Sequence, residues 1–177
     1  MSRFLSFAMH VETAEEAMAK VKHFQNRFHD SRHVCWAYML GAKRDIWQLN
    51  DNGEPSGTAG KPILGQINSK GLTDVLVVVV RYFGGIKLGT SGLIVAYREA
   101  AKEALENAEI VECHEMTELK VEFAYEDMNG VMGIIKAGDV DILSKEFDNI
   151  CRMMLKAKKE DYEKLTGMLE KNGARVE

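Results

Sequence analysis

Two glycine-rich segments carry the side chains best suited to chemistry. Residues 50–61, NDNGEPSGTAGK, hold Asp51, Glu54, Ser56 and Thr58 among three glycines and a proline. Two carboxylates so placed can serve as acid and base, and Ser56 with His33 and Asp51 supplies the residue types of a hydrolase triad. The surroundings oppose the triad. The serine lies in G-E-P-S-G rather than in a G-x-S-x-G elbow, and no strand pattern runs straight into a helix there. The plainer alternative is a long ordered loop whose Asp, Glu, Ser and Thr side chains cap and bridge their own backbone.

Residues 81–92, RYFGGIKLGTSG, form the second segment. Gly84, Gly85, Gly89 and Gly92 permit backbone conformations closed to other residues, and the helix pattern that follows offers free N–H groups and a positive dipole end to an anion. Arg81 and Lys87 bracket the turn and can add charge-assisted bonds to a phosphate or carboxylate. The spacing is neither GxGxxG nor a G-K-[ST] loop, so an anion cradle and a tight turn with solvated charges both stand. The candidate binding residues are therefore Asp51, Glu54, Ser56, Thr58, Arg81, Gly84, Gly85, Lys87 and Gly89. No catalytic residue, cofactor or metal ligand is assigned: His33 and Cys35 lie close in sequence, but a structural zinc needs four ligands and no second pair is spaced to join them. Lys156, Lys158 and Lys159 read as a solvated sheet edge, although such an edge can also meet RNA.

The elements that must position these loops are legible as periodicities. Residues 3–9 read as a strand, and Thr13 with Glu16 forms a capping box before Ala14, Ala17, Met18, Val21, Phe24 and Phe28 recur at helical spacing. Residues 34–40 and 46–49 read as a hairpin turning through Gly41, and Pro62 suits the first turn of a helix ending near Gly71. The run DVLVVVVRYF has the β-branched continuity of a central strand covered on both faces. Leu93, Tyr97, Ala101 and Leu105 then mark the buried stripe of a helix. A boundary is expected around residues 112–117, giving domains 1–113 and 114–177. The tail reads as a strand at 119–125, a helix at 128–137, two strands within 141–157, a helix at 161–171 and a closing strand at 174–177, the order of a split βαβ, ferredoxin-like unit.

Composition bounds the function. At 177 residues, 46% hydrophobic and with only two prolines, the chain should fold without staples. The net charge of −4 falls entirely after the expected boundary, with thirteen basic and thirteen acidic residues before it and ten and fourteen after. A generic basic nucleic-acid binder is disfavoured, whereas a local basic patch is not. Cys35, Cys113 and Cys151 are odd in number and far apart, so no disulfide framework is readable. The longest apolar run, 75–80, is far below the roughly 20 residues that span a bilayer, and a cytoplasmic protein with no membrane contact is expected.

Three segments, HVCWAY at 33–38, GEPSGTAGKPIL at 53–64 and VVVVRYFGGIKLGTSGLIVAY at 77–97, resemble the YigZ/IMPACT family in content, order and spacing. The resemblance spans about residues 3–110, and the tail is similar to the smaller C-terminal domain of the bacterial YigZ branch. The chain departs from the family pattern at Asn52, where a second Asp is usual, at Ser91 in place of Gly, and at Val95 in place of a basic residue. Against that pattern it also starts at an internal SRF and stops early, which implies short termini. The fold implied is α+β: a ribosomal-protein-like α/β domain with a mixed sheet and helices, then a ferredoxin-like βαββαβ domain. The function implied is a translation-linked regulatory or binding protein whose partner is RNA, the ribosome or a translation-associated protein. Two alternatives stay open: an enzyme for a phosphorylated or carboxylated small molecule, with Asp51 and Glu54 as acid and base, and a pure interaction scaffold. The oligomeric state is not readable.

Overall fold

The computed structural model describes residues 1–177 and divides into two compact units, Met1–Ile110 and Val111–Glu177. The first contains β1 (Arg3–His10), α1 (Ala14–Arg27), β2 (His33–Leu40), β3 (Ile46–Asn50), α2 (Gly60–Ser69), β4 (Val75–Tyr82) and α3 (Gly89–Glu106). Its sheet has the order β1-β4-β2-β3, and every neighbouring pair is antiparallel. The α+β class expected from sequence holds, but the sheet is not mixed. Helices α1 and α2 each connect strands that run the same way one place apart, and the intervening place is filled by a strand running the other way.

Local signals explain the elements. Thr13 Oγ1 accepts the Glu16 N–H at 3.1 Å, and Glu16 Oε2 accepts the N–H of Glu12 at 3.0 Å, so the capping box closes one residue upstream of its usual partner. Strand β4 shows no polar alternation because helices cover both faces. Val77 and Val79 pack with Cys35 and Ala37 against Ile63, Ile67 and Leu93, while Leu76, Val78 and Val80 pack with Trp36 against Ala17, Val21 and Phe24. Each buried Val, Leu, Ile or Phe among them contributes roughly 1.5–3 kcal/mol by leaving water.

The second unit contains β5 (Met116–Phe123), α4 (Met128–Ala137), β6 (Val140–Phe147), β7 (Cys151–Lys158), α5 (Tyr162–Lys171) and β8 (Arg175–Val176). The antiparallel order β6-β7-β5-β8 is the ferredoxin-like βαββαβ arrangement. Helices cover one face only. Cys151, Met153, Leu155 and Ala157 are buried with Val131 and Leu169, and the alternate residues of β7 are half-exposed. The open side carries ion pairs from Glu122 to Arg152 at 3.0 Å and from Lys120 to Glu177 at 3.1 Å. Lys156 and Lys158, read with Lys159 as a solvated sheet edge, lie on the inner strand β7, and Lys158 and Lys159 pair with Asp139 and Glu115. No helix of either unit is long and apolar enough to cross a membrane.

Candidate functional site

Sheet register gathers both glycine-rich segments at one end of the first unit. Arg3 faces Tyr82 and His33 faces Arg81. Because β3 is antiparallel to β2, with Asn50 opposite Trp36, the chain leaves β3 at that same end. The 51–59 loop then folds back on itself through Asn52, Gly53 and Gly57 at φ of 42°, 83° and 77°, left-handed values that favour glycine and asparagine.

Asp51 organises the loop. Its carboxylate accepts N–H bonds from Gly57 at 2.8 Å, Ala59 at 3.0 Å and Gly60 at 2.8 Å. It therefore caps α2 from a distance, where the residue at the cap position, Ala59, has no side-chain acceptor. Thr58 donates its hydroxyl to the Pro55 carbonyl at 2.6 Å, and Ser56 is exposed. The Asn52 side chain accepts the Val34 N–H at 2.7 Å, and its carbonyl lies 2.7 Å from His33 Nδ1. With Asp51 spent on backbone amides and His33 on Asn52, the three residue types of a triad do not assemble around Ser56. Nor do His33 and Cys35 turn to a shared ligand, since Cys35 Sγ lies 3.0 Å from the Asp51 carbonyl.

Glu54 is the centre. Its side chain is 3% exposed and Oε1 accepts from Arg81 Nη1 at 2.6 Å, from the Tyr97 hydroxyl at 2.8 Å, and lies 3.7 Å from His33 Nε2. Arg81 also reaches Ser2 Oγ at 3.2 Å. Its guanidinium lies over the rings of Phe4 and Phe83, 5.8 and 5.6 Å from their centroids, a cation–π arrangement that supplements the ion pair. Arg81 Nε is buried without a partner, so this charge is held by fewer bonds than it can make. Burial pushes the Cys35 thiol up to about 12. Burial, followed by the neighbouring Cys35, raises Tyr97 well above the ordinary tyrosine value. Both groups therefore keep their protons at neutral pH, and Tyr97 serves Glu54 as a donor.

Among the sequence candidates, Glu54 and Arg81 meet directly, with Asp51 and Thr58 bridging the backbone beside them. Arg81, read from sequence as a partner for an external anion, gives its charge to Glu54. Gly84 is pressed against the first residue: the Met1 amine donates to its carbonyl at 3.0 Å, and a Cβ there would collide with the Met1 backbone. Gly85 and Gly89 take φ of 85° and 73° and are exposed, as is Lys87. Sequence reading missed Tyr97, Phe4, Phe83 and Ser2. Tyr97 had a signal, a hydroxyl on a stripe that helical spacing buries, which demands a polar partner inside.

What these features define is a two-unit α+β protein in which a buried carboxylate–guanidinium pair ties two glycine-rich loops at one sheet end, followed by a ferredoxin-like unit. Residues 1–105 match the Impact N-terminal domain, and the chain belongs to the IMPACT family. The IMPACT family member YigZ of Escherichia coli is 36% identical over 148 residues, covering 82% of this chain and 72% of the relative. An IMPACT family member of Haemophilus influenzae is 35% identical over 178 residues, covering 99% and 86%. A crystal structure described as that of a hypothetical protein superposes with a TM-score of 0.70 at 29% identity, covering 99% of this chain and 87% of that one.

Proposed function

We propose that the chain is a translation-linked binding protein that recognises RNA or a ribosome-associated protein through the sheet end where the two loops meet. Membership of the IMPACT family supports the translation-related regulatory role. The observation that carries the surface assignment is the Glu54–Arg81 pair at 2.6 Å, which fixes both loops while Phe83, Ile86, Lys87 and Leu88 remain exposed. Asp51, Glu54, Thr58 and Arg81 are supporting residues in this reading. Ser56, Gly84, Gly85, Lys87 and Gly89 belong to the recognising surface, beside α3 amides that have no side-chain cap.

Co-sedimentation of the protein with ribosomes across a salt series tests this. Wild type is expected to sediment at low salt, and Lys87→Ala to weaken the association and lower its salt slope by about one charge. Arg81 is left unchanged because its loss would disturb the loops themselves. Equal sedimentation of both proteins at every salt removes the loop from the contact, and no sedimentation of either removes the ribosome.

A further inference from the structure

We propose that loop 83–88 and the adjoining outward face of α3 dock an acidic, apolar peptide segment of a protein partner. This rests on the binding-protein reading and chooses between its two partner classes. Four large apolar side chains are exposed here: Phe83 at 47%, Ile86 at 68%, Leu88 at 38% and Val95 at 52%. Large apolar groups exposed together along one loop and the helix that follows mark a surface that another molecule covers. Lys87 lies between Ile86 and Leu88, and Val95, Arg98 and Lys102 recur at the spacing of one helix face. Lys87, Arg98 and Lys102 are exposed and enter none of the unit's ion pairs.

The shape of the charge selects the occupant. The basic stripe is a single helix face wide, and Glu99 and Glu103 line the face next to it, with Glu106 beside them paired to Lys70 at 3.8 Å. A nucleic-acid strand or an anionic bilayer brings continuous negative charge, which that acidic flank repels. A peptide carries discrete charges. It can set carboxylates over Lys87, Arg98 and Lys102 and apolar side chains over Ile86, Leu88 and Val95 while keeping clear of the glutamates. Complementary charge then fixes register, and the apolar contacts supply the area.

The test is a titration of the full chain, read by backbone amide shifts and by anisotropy, with four probes. These are a synthetic peptide alternating glutamate with leucine and phenylalanine, the same peptide with serine at every apolar position, oligouridylate of equal charge, and phosphatidylserine vesicles. The first peptide is expected to bind, to shift residues 83–102, and to bind about tenfold or more tightly than the serine peptide. Lys87→Glu with Arg98→Glu, and separately Ile86→Ser, are expected to weaken it by about tenfold, whereas Met18→Ser on α1 leaves it unchanged. Equal binding of the serine peptide, tighter binding of oligouridylate or vesicles at these residues, or no shift with any probe overturns the proposal. Should that happen while ribosome co-sedimentation persists, the binding-protein reading survives without a peptide partner. Peptide binding without co-sedimentation separates the two the other way.

Discussion

The two units use charge in opposite ways. The first buries one pair, Glu54 and Arg81, with both side chains almost wholly out of solvent, and leaves Lys20–Glu16 and Lys70–Glu106 nearer the surface, whereas the second spreads Lys120, Glu122, Arg152 and Glu177 over the open side of its sheet. Counting pairs would call the second unit the more electrostatically stabilised. Burial says otherwise. An exposed pair trades good solvation for a weak, screened attraction, while a buried pair has paid its desolvation and cannot lose one member without stranding the other. The first unit therefore depends on its charges for loop geometry, and the second can spare most of its own.

The largest test of this contrast is Arg81→Met, which strands the Glu54 carboxylate and is expected to destabilise the first unit by about 3–5 kcal/mol. Both tryptophans, Trp36 and Trp47, lie in that unit, so urea unfolding followed by tryptophan fluorescence reads it alone. Far-UV circular dichroism reads both units, and a second transition left in place would show that they unfold separately. Limited proteolysis supplies the companion measurement: first cleavage is expected among residues 107–115, which lie outside any helix or strand. A first cut inside 75–105 would instead break the two-unit description.

Next in size is Tyr97→Phe. It removes one donor from Glu54 while keeping the ring, and the expected loss is about 1–3 kcal/mol by the same fluorescence measurement. A smaller effect belongs to alkaline pH. The folded Cys35 thiol holds its proton up to about 12 against an ordinary 9.0. A raised value contributes fully below the unfolded one and is lost as pH climbs through the folded one, so stability should decline from about pH 9 upward. Cys35→Ala is expected to flatten that decline. The smallest effect is Glu122→Ala. Its carboxyl is held below the usual range chiefly by the Arg152 hydrogen bond, yet it is exposed to salt. A slight loss at low ionic strength that vanishes at high salt sharpens the contrast, and a large salt-independent loss would break it.

How much of this was legible in the sequence varies with the range of the signal. The α4 helix was read at 128–137 and is Met128–Ala137, because a stripe of Val131, Met132 and Ile135 needs only local spacing. The Thr13 cap was equally local. Sheet order was not, since which strands become neighbours depends on how crossovers skip places, and a β-branched run looks the same beside parallel or antiparallel partners. At the candidate site the sequence shows which side chains are unusual for a loop, but not which of them meet. Asp51 was open to two readings, an acid or base and a cap for its own loop, and its carboxylate is taken up by backbone amides at the start of α2. Arg81 read as a free cation and proves half of a buried pair, because its partner sits 27 positions away and no local pattern joins them.

The skipped places in the first sheet have a consequence for synthesis on the ribosome. β1 finds its only sheet neighbour in β4, where Arg3 meets Tyr82. The earliest strand of this sheet must therefore wait for the latest. At roughly 5–20 residues per second, the interval between these partners emerging is about 4–16 seconds. Throughout that time Phe4, Leu5, Phe7 and Met9 have no sheet to join. The nascent segment 3–10 is thus a sticky one for a chaperone to shield, and the unit closes only once the glycine loop's own strand has left the exit tunnel.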